Sequence, residues 1–256
     1  MKIVTWNVNS VRARMSLLLD WLADHDPDIL CLQETKVVDD LFPTEPLEDA
    51  GYNIEFTGQK SYNGVATLSK YPMEGVIKAL PGDGDSEPKR ILGCIVKDTV
   101  VFNLYVPNGR EVDHEQYHYK LAWLKRMRKL LDDEFRADEK VIVTGDFNIT
   151  FDDRDVHNPD VRREKIHCST PEREAMAHLM DFGLEDGLRK HHEEEGIYTW
   201  WSHRERGFEK NQGLRIDHFL LSEPSLEICE DVLVDTKSRE GKGTSDHAPV
   251  IALFRD

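Results

Sequence analysis

No stretch of this chain approaches the ~18 consecutive apolar residues of a membrane-spanning helix, which excludes a helical membrane protein. The first six residues read as a strand, without the apolar run or small-residue cleavage site of a secretory signal. Cysteine is scarce: Cys31, Cys94, Cys168 and Cys229 are far apart and form no CxxC pair. That usage fits reduced, buried thiols in a cytoplasmic protein and argues against structural zinc. A doubly wound nucleotide-binding fold is the structural runner-up, but no GxGxxG or GxxxxGKS/T loop supports it. No Gly/Ser/Pro-rich linker, low-complexity tract or solenoid-spaced repeat divides the chain. Positive charge is short as well: 33 basic against 49 acidic residues give a formal net charge of −16. That balance argues against a protein that coats nucleic acid by charge alone. A local basic groove is still compatible, from Lys89-Arg90, Arg110, Arg162-Arg163-Lys165, Arg204 and Arg206. An acidic cluster that holds a cation would itself add negative charge.

What is present is enough apolar residue, 39% of 256, for one large core. Residues 2–6 alternate as a strand, and Ser10 can cap a helix carrying Leu17, Leu18, Trp21 and Leu22 at helical spacing. Residues 29–32 form a short buried strand. Residues 52–57, 65–69 and 75–79 look like strands between Gly, Asn and Pro turns. Residues 81–88 make a loop, and residues 91–97 and 100–106 are adjacent strands. The longest helix is expected over residues 113–135, with Tyr117, Leu121, Leu124, Leu131 and Phe135 on one face. Residues 141–144 read as a buried strand. The polar segment 150–170 exceeds an ordinary connection, and loops that long are often functional. Pro171 fits the first turn of a helix that Gly183 ends. Residues 215–221, 226–234 and 250–254 complete the strands. Many strands and irregular spacing suggest an α/β sandwich, and polar residues from Asn7 to His247 favour one domain over residues 1–256.

Chemistry-bearing residues recur where strands end. Glu34 follows the apolar run 29–32; its bland alternative is a surface acid paired to Lys36. Asn7 and Asn9 follow the first strand, where Asn more often closes a turn. Asp146 and Asn148 sit two apart, so in extended geometry they share one side with Phe147 behind them. Tyr105 ends a strand, with an ordinary rim aromatic as its alternative. Asp217 and His247 suggest a carboxylate–imidazole pair, which fixes the tautomer and favours the charged ring. His218 and His178 lie beside apolar residues and read as packing. The remaining histidines sit in polar stretches and carry no comparable signal. Hydrolysis of a phosphodiester requires the phosphate charge to be offset, a water deprotonated and aimed, and the leaving oxygen stabilised. Carboxylates and amides suit magnesium, which prefers oxygen ligands, better than zinc.

In order along the chain, the blocks PDILCLQETK (27–36), YVPNG (105–109), GDFNI (145–149), NQGLRIDHFLLS (211–222) and SDHAP (245–249) resemble the exonuclease III family of abasic-site endonucleases. That family lies within the endonuclease/exonuclease/phosphatase superfamily. The blocks around Glu34 and Asp217 separate this branch from the lipid and inositol phosphatases. The resemblance implies a four-layered α/β sandwich of two packed mixed sheets flanked by helices, with the site at one end. It implies Glu34 as main metal ligand, with Asn7 and Asp246 close by and Asp146, Asn148 and His247 within reach of Mg²⁺ or Mn²⁺. It implies catalytic roles for Tyr105, Asp146, Asn148, Asp217 and His247. Asn108 and Arg110 fall where the family contacts the DNA backbone, and Trp200, Leu214 and Ile216 where it receives a base-free sugar.

The function so implied is a monomeric, cytoplasmic, magnesium-dependent DNA repair nuclease. It would cut duplex DNA 5′ to abasic sites and leave a 3′-hydroxyl, with 3′-end cleaning and 3′→5′ exonuclease activity beside it. An abasic sugar has no base to unstack, so flipping it costs little. The alternatives are a phosphoesterase on a non-DNA substrate and a nucleic-acid-binding regulator on the same fold. The intact set of site residues speaks against the second.

Overall fold

The computed structural model describes residues 1–84, 86–203 and 206–255. Strand β1 (Lys2–Asn7) leads through helix α1 (Val11–His25) to β2 (Ile29–Gln33). A short α2 (Glu45–Asp49) precedes β3 (Asn53–Thr57), β4 (Val65–Ser69) and β5 (Met73–Ile77). The hairpin β6 (Ile91–Val96) and β7 (Thr99–Tyr105) is joined by α3 (Glu115–Glu134) to β8 (Val141–Asp146). Then come α4 (Pro159–Arg162), α5 (Thr170–Met180), β9 (Leu184–Asp186) and α6 (Gly187–His191). The chain ends with β10 (Trp200–Trp201), β11 (Gly213–Leu214), β12 (Asp217–Ser222), α7 (Glu223–Ile228), β13 (Cys229–Val234) and β14 (Val250–Phe254).

Two six-stranded sheets carry the fold, ordered β13-β14-β1-β2-β4-β3 and β5-β6-β7-β8-β12-β9. Both are mixed, and each has one parallel pair, β1/β2 and β7/β8, among antiparallel neighbours. A parallel pair needs a crossover, and α1 and α3 provide them. Between the sheets lies a core to which Ile3, Ile29 and Cys31 contribute from one side and Val101, Ile142 and Phe219 from the other. Outside the first sheet, Leu18, Trp21 and Leu22 of α1 cover Val4, Leu30 and Leu32. Outside the second, Trp123, Met127 and Leu131 of α3 and Met176 of α5 cover Phe102, Val143 and Leu220. Four layers result, as the resemblance implied. Central strands are buried on both faces, which is why they read as nearly unbroken apolar runs.

Local chemistry sets the ends of the elements. Ser10 caps α1 by accepting from the Ala13 amide at 3.4 Å. Pro171 lies in the first turn of α5 behind a Ser169–Glu172 capping box, and such caps contribute about 1 kcal/mol each. Three expectations need correction. The strand expected at 75–79 runs over Met73–Ile77, starting directly after Pro72, with a register shift between Glu74 and Ile77. The strand expected at 226–234 begins as helix α7, because Ser222 and a proline in the first turn start a helix before the chain extends at Cys229. The buried stripe of α3 is Tyr117, Lys120, Trp123, Leu124, Met127, Leu130 and Leu131, with Leu121 only half-buried. A lysine lies within it, near the helix start, which a hydrophobic pattern cannot reveal.

Candidate active site

The sheet register assembles the site before any side chain is considered. Asn7 pairs with Gln33 across the parallel strands β1 and β2, which puts Glu34 one residue beyond the same edge. In the second sheet Tyr105 pairs with Asp146 on β8, and Asp217 of β12 faces Asp146 from the other side. The segment carrying Asp246 and His247 is tied to this edge. Ser245 Oγ donates to the Asn7 carbonyl at 2.6 Å, and Trp6 Nε1 donates to the His247 carbonyl at 3.2 Å. Gly145 makes the close approach of β7 and β8 feasible. With φ at 141°, a Cβ there would lie 2.0 Å from the Leu104 carbonyl oxygen.

Asn7, fully buried, is the hinge of the cluster. Its Nδ2 donates to Glu34 Oε1 at 3.0 Å and to Asp146 Oδ2 at 2.9 Å, while its Oδ1 accepts from the Asn9 amide. The Tyr105 hydroxyl donates to Glu34 Oε1 at 2.9 Å, so the phenol reaches into the site and is no rim aromatic. The Lys36 ammonium meets Glu34 Oε2 at 2.6 Å and Asn9 Oδ1 at 2.5 Å. The bland pairing of Glu34 with Lys36 is therefore real and lies inside the cluster. Asn9 in turn donates to Asp246 Oδ1 at 2.9 Å, and Trp200 Nε1 donates to Asp246 Oδ2 at 3.0 Å.

On the other flank His247 Nδ1 lies 2.8 Å from Asp217 Oδ2, and its Nε2 is 3.7 Å from Asp146 Oδ2. Asp146 and Asn148 do not extend along one strand as expected. β8 stops at Asp146, and Asn148 turns left-handed at φ 53° so that its amide donates to Asp146 Oδ1 at 2.9 Å. This aspartate-closed turn competes with the ladder. Phe147 is fully buried behind it, as expected. Asn108 Nδ2 donates to Asn148 Oδ1 at 3.0 Å. Arg110 is exposed, and its backbone amide, not its guanidinium, meets Asn108. Leu214 and Ile216 are buried in an apolar cluster with Val156 and Cys168, against which Trp200 packs. Trp200 and Leu214 also line an open cavity of about 440 Å³ together with His157, Arg162 and Lys165.

Part of the fold's left-handed backbone lies here. Asn9, Glu34, Lys36 and Asn148 all have φ between 47° and 54°, a region that costs a non-glycine residue roughly 1–2 kcal/mol. Electrostatics are equally uneven. Burial lowers the affinity of His247 for its proton, but the Asp217 and Asp146 charges and the Asp217 hydrogen bond override it and hold the ring's pKa up at about 10. Burial raises the Asp146 carboxyl, with Asp217 and Glu34 adding to it against the pull of His247 and the Asn7 hydrogen bond. For Asp246 burial is outweighed by His247, Trp200 and Asn9, and its carboxyl falls to about 2. Burial likewise opposes ionisation of Glu34, yet Lys36 and Asn7 leave it below the usual range. Tyr105 is raised well above an ordinary phenol by burial and the acids beside it, so it remains a donor.

These residues fit a divalent cation. Asp146, Asp217 and His247 offer ligand atoms within 4.8 Å of one another, and the buried Asp217 Oδ1 has no hydrogen-bond partner. A protonated imidazole has no free lone pair, so the donors that remain are oxygens, which suits Mg²⁺ or Mn²⁺. Lys36 already shows that the Glu34–Asn9 edge attracts positive charge.

The Endonuclease/Exonuclease/phosphatase family matches residues 4–247. Along the full length of both chains, 34% of residues are identical to the exodeoxyribonuclease III of Haemophilus influenzae. The chain belongs to the exonuclease III branch of this family. Its fold superposes on NExo from Neisseria, a 3′ phosphatase bound to product DNA hairpin, with TM-score 0.97, 40% identity and complete coverage of both chains. The NExo of Neisseria meningitidis is described as a 3′-5′ exonuclease. An AP endonuclease from Archaeoglobus fulgidus superposes with TM-score 0.94 at 38% identity, again over both whole chains. Family membership makes this chain a hydrolase of the exodeoxyribonuclease III type.

Several residues around the family's site escape sequence reasoning. Lys120, fully buried, gives its ammonium to Glu172 at 2.5 Å, the Asn148 carbonyl at 2.7 Å and the Asn108 carbonyl at 3.2 Å. It ties the loops of Asn108 and Asn148 to α3 and α5. His167 places Nδ1 2.6 Å from the Asn148 carbonyl, and burial followed by Lys120 lowers its pKa to about 3. Its polar flanks gave no hint of this. Arg90 is no surface charge: it is buried over the Tyr105 ring at 4.8 Å. His218 packs on Phe151 as expected, with ring centroids 4.0 Å apart, but His178 is exposed. Arg204 lies outside the described residues. All four cysteines are free and buried, and no helix of the described residues is long and apolar enough to cross a membrane.

Proposed function

We propose that this protein is a divalent-metal-dependent DNA repair nuclease that acts on the 3′ termini of duplex DNA, removing 3′-phosphates and terminal nucleotides to leave a 3′-hydroxyl. The observation that carries this is the acid-rich cluster of Glu34, Asp146 and Asp217 around Asn7 and His247, in a chain 40% identical over its whole length to a 3′ phosphatase. Glu34 with Asn7 and Asp246 would hold Mg²⁺ or Mn²⁺, Asp146 and Asn148 lying within reach. When bound, the ion offsets phosphate charge and stabilises the leaving oxygen.

The protein's own groups account for the rest. Asp146, with its proton affinity raised by burial, takes a proton from the attacking water. The oxygen adds to phosphorus, the P–O bond on the far side breaks, and its electron pair leaves with the departing oxygen. His247, kept charged and oriented by Asp217, grips a non-bridging phosphate oxygen. The Tyr105 phenol and the Asn148 amide donate to the oxygens on which charge builds.

Incision 5′ to abasic sites is the second reading. It is favoured by the apolar cluster of Leu214 and Ile216 with Trp200, whose indole holds Asp246 at the edge of the cluster. A flipped sugar without a base would fit such a site by size, and its loss of stacking favours extrusion. One experiment separates the readings: duplexes carrying a 3′-phosphate, a recessed 3′-hydroxyl end or one tetrahydrofuran abasic analogue are incubated with Mg²⁺ or with EDTA. Release of phosphate and nucleotides only with Mg²⁺ is expected. Full rate in excess chelator, or no product on any of the three, contradicts the proposal. Abasic incision faster than 3′ processing makes the second reading the main one.

A further inference from the structure

Of the four buried lysine and arginine side chains, Arg90 and Arg239 have no carboxylate partner among the described residues, and each leaves its Nε without a hydrogen-bond partner. Lys120 meets Glu172, Arg215 meets Asp155 and Asp186, and Arg90 stacks on Tyr105 inside the site already described. Arg239, only 6% exposed, pairs with no carboxylate among the described residues. Its Nη1 donates to Thr244 Oγ1 at 3.1 Å, its Nη2 lies 3.0 Å from His203 Nδ1, and its Nε has no partner. A guanidinium has five N–H donors, so most of its capacity is unused. A cation removed from water is expensive, and the nearby Asp246 charge and the Phe208 ring at 5.3 Å each offset part of that.

Arg239 lines a cavity of about 370 Å³ with Ser202, His203, Arg206, Gly207 and Glu240. His203 faces Arg239 through Nδ1, which as acceptor leaves the ring proton on Nε2. Burial, then Arg239, lowers its pKa, which favours the neutral ring with one N–H to give. Arg206 is paired with Glu209 at 2.5 Å, which cancels that acid on the same wall. Glu240 is exposed at the rim, where water screens it. The cavity belongs to the Asp246 side of the active site. Thr244 is two residues from Asp246, the Trp201 amide donates to the Asp246 carbonyl at 3.1 Å, and Arg14 Nε donates to the Gly243 carbonyl at 3.2 Å.

We infer that this cavity binds a phosphate group of the DNA backbone flanking the phosphate that is hydrolysed, with the Arg239 guanidinium as its buried anchor and His203, Ser202 and Arg206 as its rim. A guanidinium suits phosphate because paired N–H groups match two oxygens. The inference rests on the proposed action on DNA and adds a subsite to it.

The test is the affinity of the metal-free protein for a 3′-phosphorylated duplex in EDTA, measured from 50 to 200 mM KCl. Wild type is compared with Arg239→Gln and with the rim variant His203→Gln/Arg206→Gln. Each phosphate contact contributes roughly 0.9 to the slope of log affinity against log salt. Losing one should therefore make the affinity drop across that range roughly three- to fourfold smaller. If Arg239→Gln fails to fold, the surface rim variant carries the same expectation. A folded variant with the wild-type slope overturns the subsite. Inorganic phosphate that raises the melting temperature of wild type alone, with DNA slopes identical, shows a free-phosphate site and overturns the backbone assignment. A wild-type protein that binds no duplex overturns the proposed function itself, and the subsite with it.

Discussion

Two buried clusters of charge begin two residues apart on the chain, one at Arg215 and the other at Asp217, and they behave oppositely. Arg215 is fully buried between two aspartates, with Nε and Nη2 on Asp155 at 2.7 and 3.0 Å and Nη1 and Nη2 on Asp186 at 3.1 and 2.6 Å. Arg189 adds a second cation, its Nη2 on Asp155 Oδ1 at 2.6 Å. Charges there balance and almost every donor is placed. Around Asp217 the acids Asp146, Glu34 and Asp246 outnumber His247 and Lys36, and one buried carboxylate oxygen has no partner. Burial acts most strongly on both Asp155 and Asp146. It is overridden at Asp155, which falls to about 2, and reinforced at Asp146, which rises. Equal burial thus gives a strongly acidic carboxyl where charges cancel and a proton-retaining one where acids are in surplus.

The widest separation between the clusters should appear on replacing one aspartate in each. Asp146→Asn is expected to lower kcat by about 10²–10⁴ through loss of the base, while thermal stability holds or rises because a surplus charge is gone. Asp155→Asn should do the reverse. Breaking a buried pair costs about 3–5 kcal/mol, read as a large fall in melting temperature. Equal destabilisation by both variants would erase the distinction.

A smaller effect tests the same balance within the second cluster's surroundings. Lys120→Met leaves Glu172 buried and unpaired, and should destabilise by about 3 kcal/mol or more. The double variant Lys120→Met/Glu172→Gln should recover most of that. Failure to recover would mean that the lysine acts through the Asn108 and Asn148 carbonyls alone.

The pH profile of stability in EDTA should divide the same way, with smaller shifts. Asp155 titrates lower folded than unfolded, because Arg215 and Arg189 override burial. Its contribution is complete above about pH 4 and is lost as pH falls towards 2. His247 titrates higher folded than unfolded, since the Asp217 and Asp146 charges override burial and place it at about 10. Its contribution is complete below about pH 6.5 and is lost as pH rises through 10. Melting temperatures from pH 2 to 10 should show both arms. Asp155→Asn should flatten the acid arm and Asp217→Asn the alkaline one.

How much of this the chain discloses beforehand also differs between the clusters. Most strands follow from apolar runs and turn residues, while the four layers, the two mixed sheets and the singling out of Asn7, Glu34, Tyr105, Asp146 and Asp217, all at or near strand ends, come from the family resemblance. The structure joins Asn7, Glu34, Tyr105 and Asp146 in one hydrogen-bonded group and places Asp217 beside it, bonded to His247. The Arg215–Asp155–Asp186–Arg189 joint was illegible, because its members are separated by up to 60 positions and no local pattern pairs an arginine of an expected strand with acids in distant segments. Lys120 escaped for a related reason: helical periodicity marks apolar faces, and a buried ammonium is visible only through its partner on another helix. Asn148 was misjudged in conformation, since a strand pattern cannot show where an aspartate side chain closes a turn.

The surplus of acid at the edge shared by β1, β2 and β8 is tested most directly by titrating Mn²⁺ into EDTA-stripped protein and following its melting temperature. Wild type should gain about 2.7 kcal/mol of stability at a hundredfold excess over the dissociation constant, and Glu34→Gln should gain much less at the same concentration. A gain of equal size in Glu34→Gln, or none in wild type, would contradict a cation site built from these residues.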